Sequence, residues 1–280
     1  MPHAIVFANG LGGSVSAFGP YIRALEGRHR VLSWDYRGLY GSHFLGGRTP
    51  DLEVSTHARD VLQVLNCAQI EQVTFVGWSM GVQIGLELFR LQRRRIRGLV
   101  LMNGTFGRPF RGVAFPFSER LLRPLVRSAS SFSDAGTRLL QRASRIESTS
   151  LWLKRLGLLA PAFDGPLFRQ MLEDFKSLDL KHYFSMLSRL SEHDAEDMLK
   201  AIDVPTLIVS GALDWLTPPG ACRTMARRIR GAEFLLVPRA THYAAAEFPE
   251  LLAKRIDAFI QNRVQPSHRP LEDAVPSSSR

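Results

Sequence analysis

Cysteine is scarce in this sequence. Cys67 and Cys222 are the only two, so no disulfide scaffold holds the chain and no Cys-x-x-Cys pair offers zinc ligands. No apolar run approaches the ~18 residues of a membrane-spanning helix. Met1-Pro2-His3 leads at once into Ala4-Ile5-Val6-Phe7-Ala8, without the charged stretch and longer apolar segment of a secretory signal. These absences predict a soluble protein of a reducing compartment, the cytoplasm. Lysine is scarce too, five against 31 arginines, although the net charge is +10. No basic stretch is interleaved with aromatics as in an RNA- or DNA-binding module, so specific nucleic-acid binding is not expected.

What is present is a core. Of the 280 residues 45% are hydrophobic and 22% charged, which is too apolar for disorder and enough for one large α/β domain with an insertion. Short β-rich runs alternate with helical patterns, the signature of a parallel sheet. Strands are expected at Ala4–Ala8, Val31–Trp34, Gln72–Val76 and Leu99–Met102, then at Pro205–Ser210 and Glu233–Val237. Helices are expected at Val15–Glu26, Thr56–Cys67, Gly81–Arg93, Gly220–Arg230 and Phe248–Asn262. Residues 105–200 interrupt the alternation with helical runs punctuated by Pro116, Pro124, Pro161 and Pro166. The expected organisation is therefore a core of 1–104 and 201–263, a helical cap of 105–200 and a disordered tail of 264–280.

Gly77-Trp78-Ser79-Met80-Gly81 fits Gly-x-Ser-x-Gly, placed after one strand and opening a helix. A tight strand-to-helix turn lifts the serine hydroxyl into the open, and the flanking glycines remove side chains that would collide there. A hydroxyl is a weak nucleophile until a base takes its proton, and that base needs an orienting acid. Asp214 follows the strand Thr206–Val209, and His242 follows the last strand. Both leave the sheet at the carboxyl edge where Ser79 sits, which is where open α/β sheets build their sites.

With these motifs the chain resembles the α/β-hydrolase family over roughly residues 4–262. The resemblance rests on Asn9-Gly10-Leu11-Gly12-Gly13-Ser14, Asp35-Tyr36-Arg37-Gly38-Leu39-Tyr40-Gly41-Ser42, the Ser79 elbow, Val204-Pro205-Thr206 through Asp214-Trp215-Leu216-Thr217-Pro218, and Thr241-His242-Tyr243. It implies a mostly parallel α/β-hydrolase sheet flanked by helices, with Ser79, Asp214 and His242 as triad. It also implies that the backbone N–H groups of Leu11 and Met80 form the oxyanion hole. Three departures stand out. Asn9 replaces the usual histidine, and its side chain can still bond the loop. Tyr40 replaces a glycine, so the loop after Asp35 should be reshaped. The family's usual first two strands have no counterpart ahead of Ala4, so either the fold lacks its antiparallel edge, which would leave the Val31 strand exposed, or the true start lies upstream.

The resulting expectation is a serine-dependent hydrolase of small-molecule carboxylic esters or thioesters acting through an acyl-enzyme, with no metal or organic cofactor. The same triad also serves acyltransferases and cofactor-free lyases or perhydrolases, and the fold can persist in a non-catalytic binding protein. A dinucleotide site fails because Gly10-Leu11-Gly12 lacks its third glycine, residue 15 being Val15. Glu192-His193-Asp194-Ala195-Glu196-Asp197 reads as a solvated acidic helix start, and Arg93-Arg94-Arg95 as a cationic helix end. Residues 105–155 carry ten basic against three acidic side chains, and 156–200 five against eight. The basic half, with Arg120, Arg123 and Arg127 among bulky apolar groups, is a candidate for transient contact with an anionic membrane or an acyl carrier.

Overall fold

The computed structural model describes residues 2–42, 51–109 and 166–265. Six strands form one wholly parallel sheet: β1 (His3–Ala8), β2 (His29–Ser33), β3 (Val73–Trp78), β4 (Ile96–Met102), β5 (Thr206–Gly211) and β6 (Glu233–Val237). Their spatial order is β2-β1-β3-β4-β5-β6. Every expected strand is present. Near-continuous apolar runs such as Ile5-Val6-Phe7-Ala8 form strands here because both faces of the sheet are covered.

The two faces divide the side chains by parity. Val6, Phe75, Leu99, Leu101 and Ile208 face a cluster with α2 (Val54–Cys67), α3 (Met80–Gln92) and α6 (Pro219–Arg228). Ile5, Phe7, Val76, Val100 and Val209 face a second cluster with α1 (Gly19–Leu25) and α7 (Pro249–Phe259). The chain passes to opposite sides of β1 in forming β2 and β3, so the loops after β1 and β3 open a crevice at the carboxyl edge.

Boundaries shift for local reasons. The helix expected over Val15–Glu26 splits into a 3-10 turn at Val15–Phe18 and α1, with Pro20 in the first turn, where its missing N–H costs nothing. Val264, assigned by sequence to the tail, is a correction. It ends a π turn (Ile260–Val264) and is buried, packed so close to Gly98 that a Cβ there would come 2.7 Å from it. The rest of the tail lies outside the described residues.

Residues 105–200 are the expected helical cap, and from Pro166 onward the chain forms α4 (Pro166–Lys176), α5 (Leu180–Glu192) and a 3-10 turn (Glu196–Ala201). Asp179 caps α5 by accepting the N–H groups of Lys181 and His182 at 2.9 and 3.1 Å. Most of the basic half, including Arg120, Arg123 and Arg127, lies outside the described residues. No described helix is long and apolar enough to cross a membrane.

One core residue makes folding sensitive to acid. His57 on α2 is fully buried against Tyr36, ring centroids 5.1 Å apart, and neither ring nitrogen has a hydrogen-bond partner among the described residues. Its Nδ1 stands 4.0 Å from Asp60 Oδ2, too far to bond. Burial, only partly offset by the Asp60 charge, lowers its pKa from 6.5 to about 4. Between these values the unfolded chain takes up a proton that the folded chain refuses. The His57 contribution is therefore complete above pH 6.5 and declines toward pH 4, by about 3 kcal/mol in all. Urea midpoints at pH 7 and pH 4.5 should fall less for His57→Leu than for the wild type. Equal falls would remove His57 from the account.

Candidate active site

The turn after β3 is built from contacts that only glycine permits. A Cβ on Gly77 would lie 2.3 Å from Gly81 O, and one on Gly81 would lie 2.4 Å from Ala8 O. Between them Ser79 adopts φ 55° and ψ −112°, a conformation that L-residues rarely take. Backbone bonds lock it on both sides. Ser79 N–H donates to Met102 O at 2.9 Å, and Gly81 N–H to Asn9 O at 3.1 Å. The side chain of Ser79 is thereby fixed at the mouth of the crevice.

Two further strands bring its partners. His242 Nε2 stands 3.0 Å from Ser79 Oγ. On the other side of the ring, His242 Nδ1 is 3.0 Å from Asp214 Oδ2 and 3.3 Å from Oδ1. His242 is held from its backbone as well, because Trp78 Nε1 donates to His242 O at 3.0 Å. Tyr243 closes the rim, its ring perpendicular to that of His242 with centroids 5.8 Å apart.

The Asp214 side chain is fully buried. Its carboxylate accepts Thr217 N–H at 2.8 Å, Thr217 Oγ1–H at 2.7 Å and Asn103 Nδ2–H at 2.9 Å, besides facing His242. Burial alone would raise its pKa. The His242 charge, with hydrogen bonds from His242, Asn103 and Thr217, outweighs that and holds the carboxyl below its ordinary range. Asp214 is thus an anion at neutral pH.

Gly10 lies so close to the elbow that a Cβ there would come 3.3 Å from Ser79 Cβ. The N–H groups of Leu11 and Met80, beside Gly10 and Ser79, have no acceptor among the described residues. Asn9, at the position of the usual histidine, donates through Nδ2 to Ser14 O at 2.9 Å and so closes the loop on itself. Tyr40 takes a left-handed backbone, φ 45°, and its hydroxyl donates to Gly12 O at 2.6 Å. Through Tyr40 the loop after Asp35 supports the first loop.

Some residues at the site gave no sequence signal. Asn103 carries no motif that marks it, yet its amide joins Asp214, at 2.9 Å, to Thr241 O, at 3.1 Å. Thr217, two residues before α6 begins, is marked in the sequence only as part of a motif. His193 was read within a solvated acidic run. Instead it is part-buried, with Nδ1 2.5 Å from Gln83 Oε1 and Nε2 2.9 Å from Glu87 Oε1, behind the elbow on α3. The arginine run stands at a helix end as expected, with Arg93 as the C-cap of α3. It forms a 3-10 turn, with Arg93 paired to Asp203 and Arg95 donating to Ile70 O at 2.6 Å.

Comparison with known proteins places this geometry in context. The model of the alpha/beta hydrolase fold family matches residues 3–249. A Rhizobium rhizogenes protein named "Putative carbamate hydrolase RutD" is 27% identical over 266 residues, covering 92% of this chain and 93% of its own. The 3-oxoadipate enol-lactonase 1 of Acinetobacter baylyi is 24% identical over 266 residues, covering 92% and 89%. Among solved structures, an esterase from Exiguobacterium antarcticum superposes with a TM-score of 0.74 at 20% identity, covering 92% and 91%, a likeness of fold.

Proposed function

The chain belongs to the alpha/beta hydrolase fold family, and on that premise we propose that it is a serine-dependent hydrolase of carboxylic esters or thioesters. The observation that carries this reading is the unbroken relay from Ser79 Oγ through both nitrogens of His242 to Asp214, with 3.0 Å at each step. Ser79 Oγ attacks the acyl carbon as its proton passes to His242 Nε2. The carbonyl electron pair moves onto oxygen, where the N–H groups of Leu11 and Met80 receive the developing charge. Collapse of this intermediate breaks the bond to the leaving group, which takes the proton from His242. Water then repeats the sequence on the acyl-enzyme and frees Ser79.

Asp214 keeps the Nδ1 proton of His242 in place, leaving Nε2 as the base. The relatives named for carbamate and enol-lactone hydrolysis support the reading, because both names describe cleavage at an acyl carbon. They also widen the substrates worth testing.

The test is intact-protein mass spectrometry after exposure to a fluorophosphonate, joined to a turnover panel. The panel holds aryl esters of increasing acyl length, a thioester, an enol-lactone and an aryl carbamate. One adduct per chain, located on Ser79, and turnover of at least one acyl class are expected. Absence of both would overturn the proposal.

A further inference from the structure

The loop joining β1 to the Val15–Phe18 turn carries Leu11, one of the two proposed oxyanion donors, and its own sequence does little to fix it. Gly10, Gly12 and Gly13 leave it without side chains to pack, and Gly12 sits at φ +76°. The core supplies part of its support. Gly13 N–H donates to Gly10 O at 3.0 Å, and Val15 N–H to Asp35 Oδ1 at 3.1 Å. Asn9 and Tyr40 add the bonds described above.

The remaining support comes from the cap. Asp174, on α4, accepts the hydroxyls of both Ser14 and Ser16 on one oxygen, Oδ2, that of Ser16 at 2.5 Å. Its other oxygen accepts Gln170 Nε2–H, one turn earlier on the same helix, at 2.8 Å. The hydroxyls of Ser14 and Ser16 are themselves 2.7 Å apart, so the carboxylate gathers both into one knot. Beside it, the Tyr183 ring of α5 crowds Gly12 so closely that a Cβ there would come 2.9 Å from it. Phe175 would be met at 3.5 Å. Burial raises the Asp174 carboxyl, but the bonds from Ser14, Ser16 and Gln170 outweigh it and hold the group below its ordinary range. The knot is therefore charge-assisted at neutral pH, and such bonds are about twice as strong as neutral ones.

We propose that Asp174 is a positioning residue through which the docked cap holds the 9–16 loop so that Leu11 N–H faces the reacting carbonyl. Docking of the cap and completion of the oxyanion hole are then a single event. Asp174 touches no reacting atom, and its effect passes through Ser14, Ser16 and the loop. This rests on the serine-hydrolase reading, since the loop matters to rate only if Leu11 stabilises an oxyanion. A donor displaced by about 1 Å costs on the order of 10²-fold in rate.

Full-length Asp174→Ala and Asp174→Asn, with Ser16→Ala as a milder change on the other side of the knot, provide the test. Hydrogen exchange over residues 9–18 reads the loop without any turnover. Exchange there should quicken in Asp174→Ala, less so in Ser16→Ala, while β3 and β4 keep their protection. Catalytically, kcat should fall by roughly 10–100-fold in Asp174→Ala with little change in KM. Inhibition by a trifluoromethyl ketone, whose adduct carries the oxyanion, should weaken by the same factor. Asp174→Asn keeps an acceptor oxygen without the charge and should restore part of the loss.

Unchanged exchange over the loop would overturn the proposal. So would a loosened loop with kcat and inhibitor affinity at wild-type values. A rise in KM alone would assign Asp174 to substrate binding and overturn it as well. A wild-type protein that neither turns over an ester nor takes the ketone would defeat the serine-hydrolase reading. The hold of the cap on the loop would then be decided by the exchange data.

Discussion

Ser79→Ala is expected to abolish fluorophosphonate labelling and to lower kcat/KM by about 10³- to 10⁶-fold, with the fold intact. The range follows from what remains. An alanine cannot form the acyl-enzyme, but the oxyanion donors and the binding surface still act on any water that attacks directly. The fold should survive because the substitution leaves the turn alone. Its tightness comes from Gly77 and Gly81 and from the bonds of Ser79 N–H and Gly81 N–H, none of which involves the hydroxyl. Among the described residues Ser79 Oγ has one partner, His242, so its removal leaves no deeply buried group there unsatisfied. Melting temperatures of the two proteins should agree within a few degrees. Labelling that persists in the variant, or that maps to another serine, would take the nucleophile away from Ser79.

Much of this arrangement was legible because it is local. The central strands β1, β3, β4 and β5 each hold a buried apolar run, and burial on both faces is what makes such runs continuous. Where burial is interrupted, the reading shortened. β4 begins at Ile96, not Leu99, since exposed Arg97 and sheet-facing Gly98 break the apolar pattern while the backbone still pairs with Val73 and Thr74. Ser79, Asp214 and His242 were legible for the same reason, each following a recognisable strand at one edge.

Contacts made across long stretches of chain were not legible. Asp174 lies 160 residues from Ser14, and nothing in the composition of α4 marks which of its acidic side chains turns toward the core. His193 sits in a run of charges that suggests solvent, yet the bend after α5 turns its ring inward onto Gln83 and Glu87. The role of Asn103 depends on a left-handed backbone, φ 46°, which aims its amide at Asp214. A single letter in the sequence carries no such direction.

Asn103 also sets the outcome of the other large change. Asp214→Asn is expected to lower kcat about 10⁴-fold while the protein remains folded. The carboxylate of Asp214 faces donors only: Thr217 N–H at Oδ1, with Thr217 Oγ1–H, Asn103 Nδ2–H and His242 Nδ1 at Oδ2. An amide must place its NH2 at one of these positions. At Oδ1 it would meet a backbone N–H that cannot turn away. At Oδ2 it meets groups that can adjust, so the NH2 will settle there. His242 Nδ1 then has to accept, which moves the ring proton to Nε2 and leaves no lone pair for the proton of Ser79. Asn103 can follow, because its buried Oδ1 has no partner among the described residues and would accept from the new NH2 after the amide turns over. That turn gives up the bond to Thr241 O, so a stability loss of about 1 kcal/mol should accompany the loss of rate. The same exchange predicts that Asp214→Asn with Asn103→Ala, where His242 Nδ1 still accepts one proton of the NH2 but the acceptor Asn103 would offer to the other is gone, is less stable than either single variant while no less inactive than Asp214→Asn. Near-normal turnover in Asp214→Asn would show that another group orients His242.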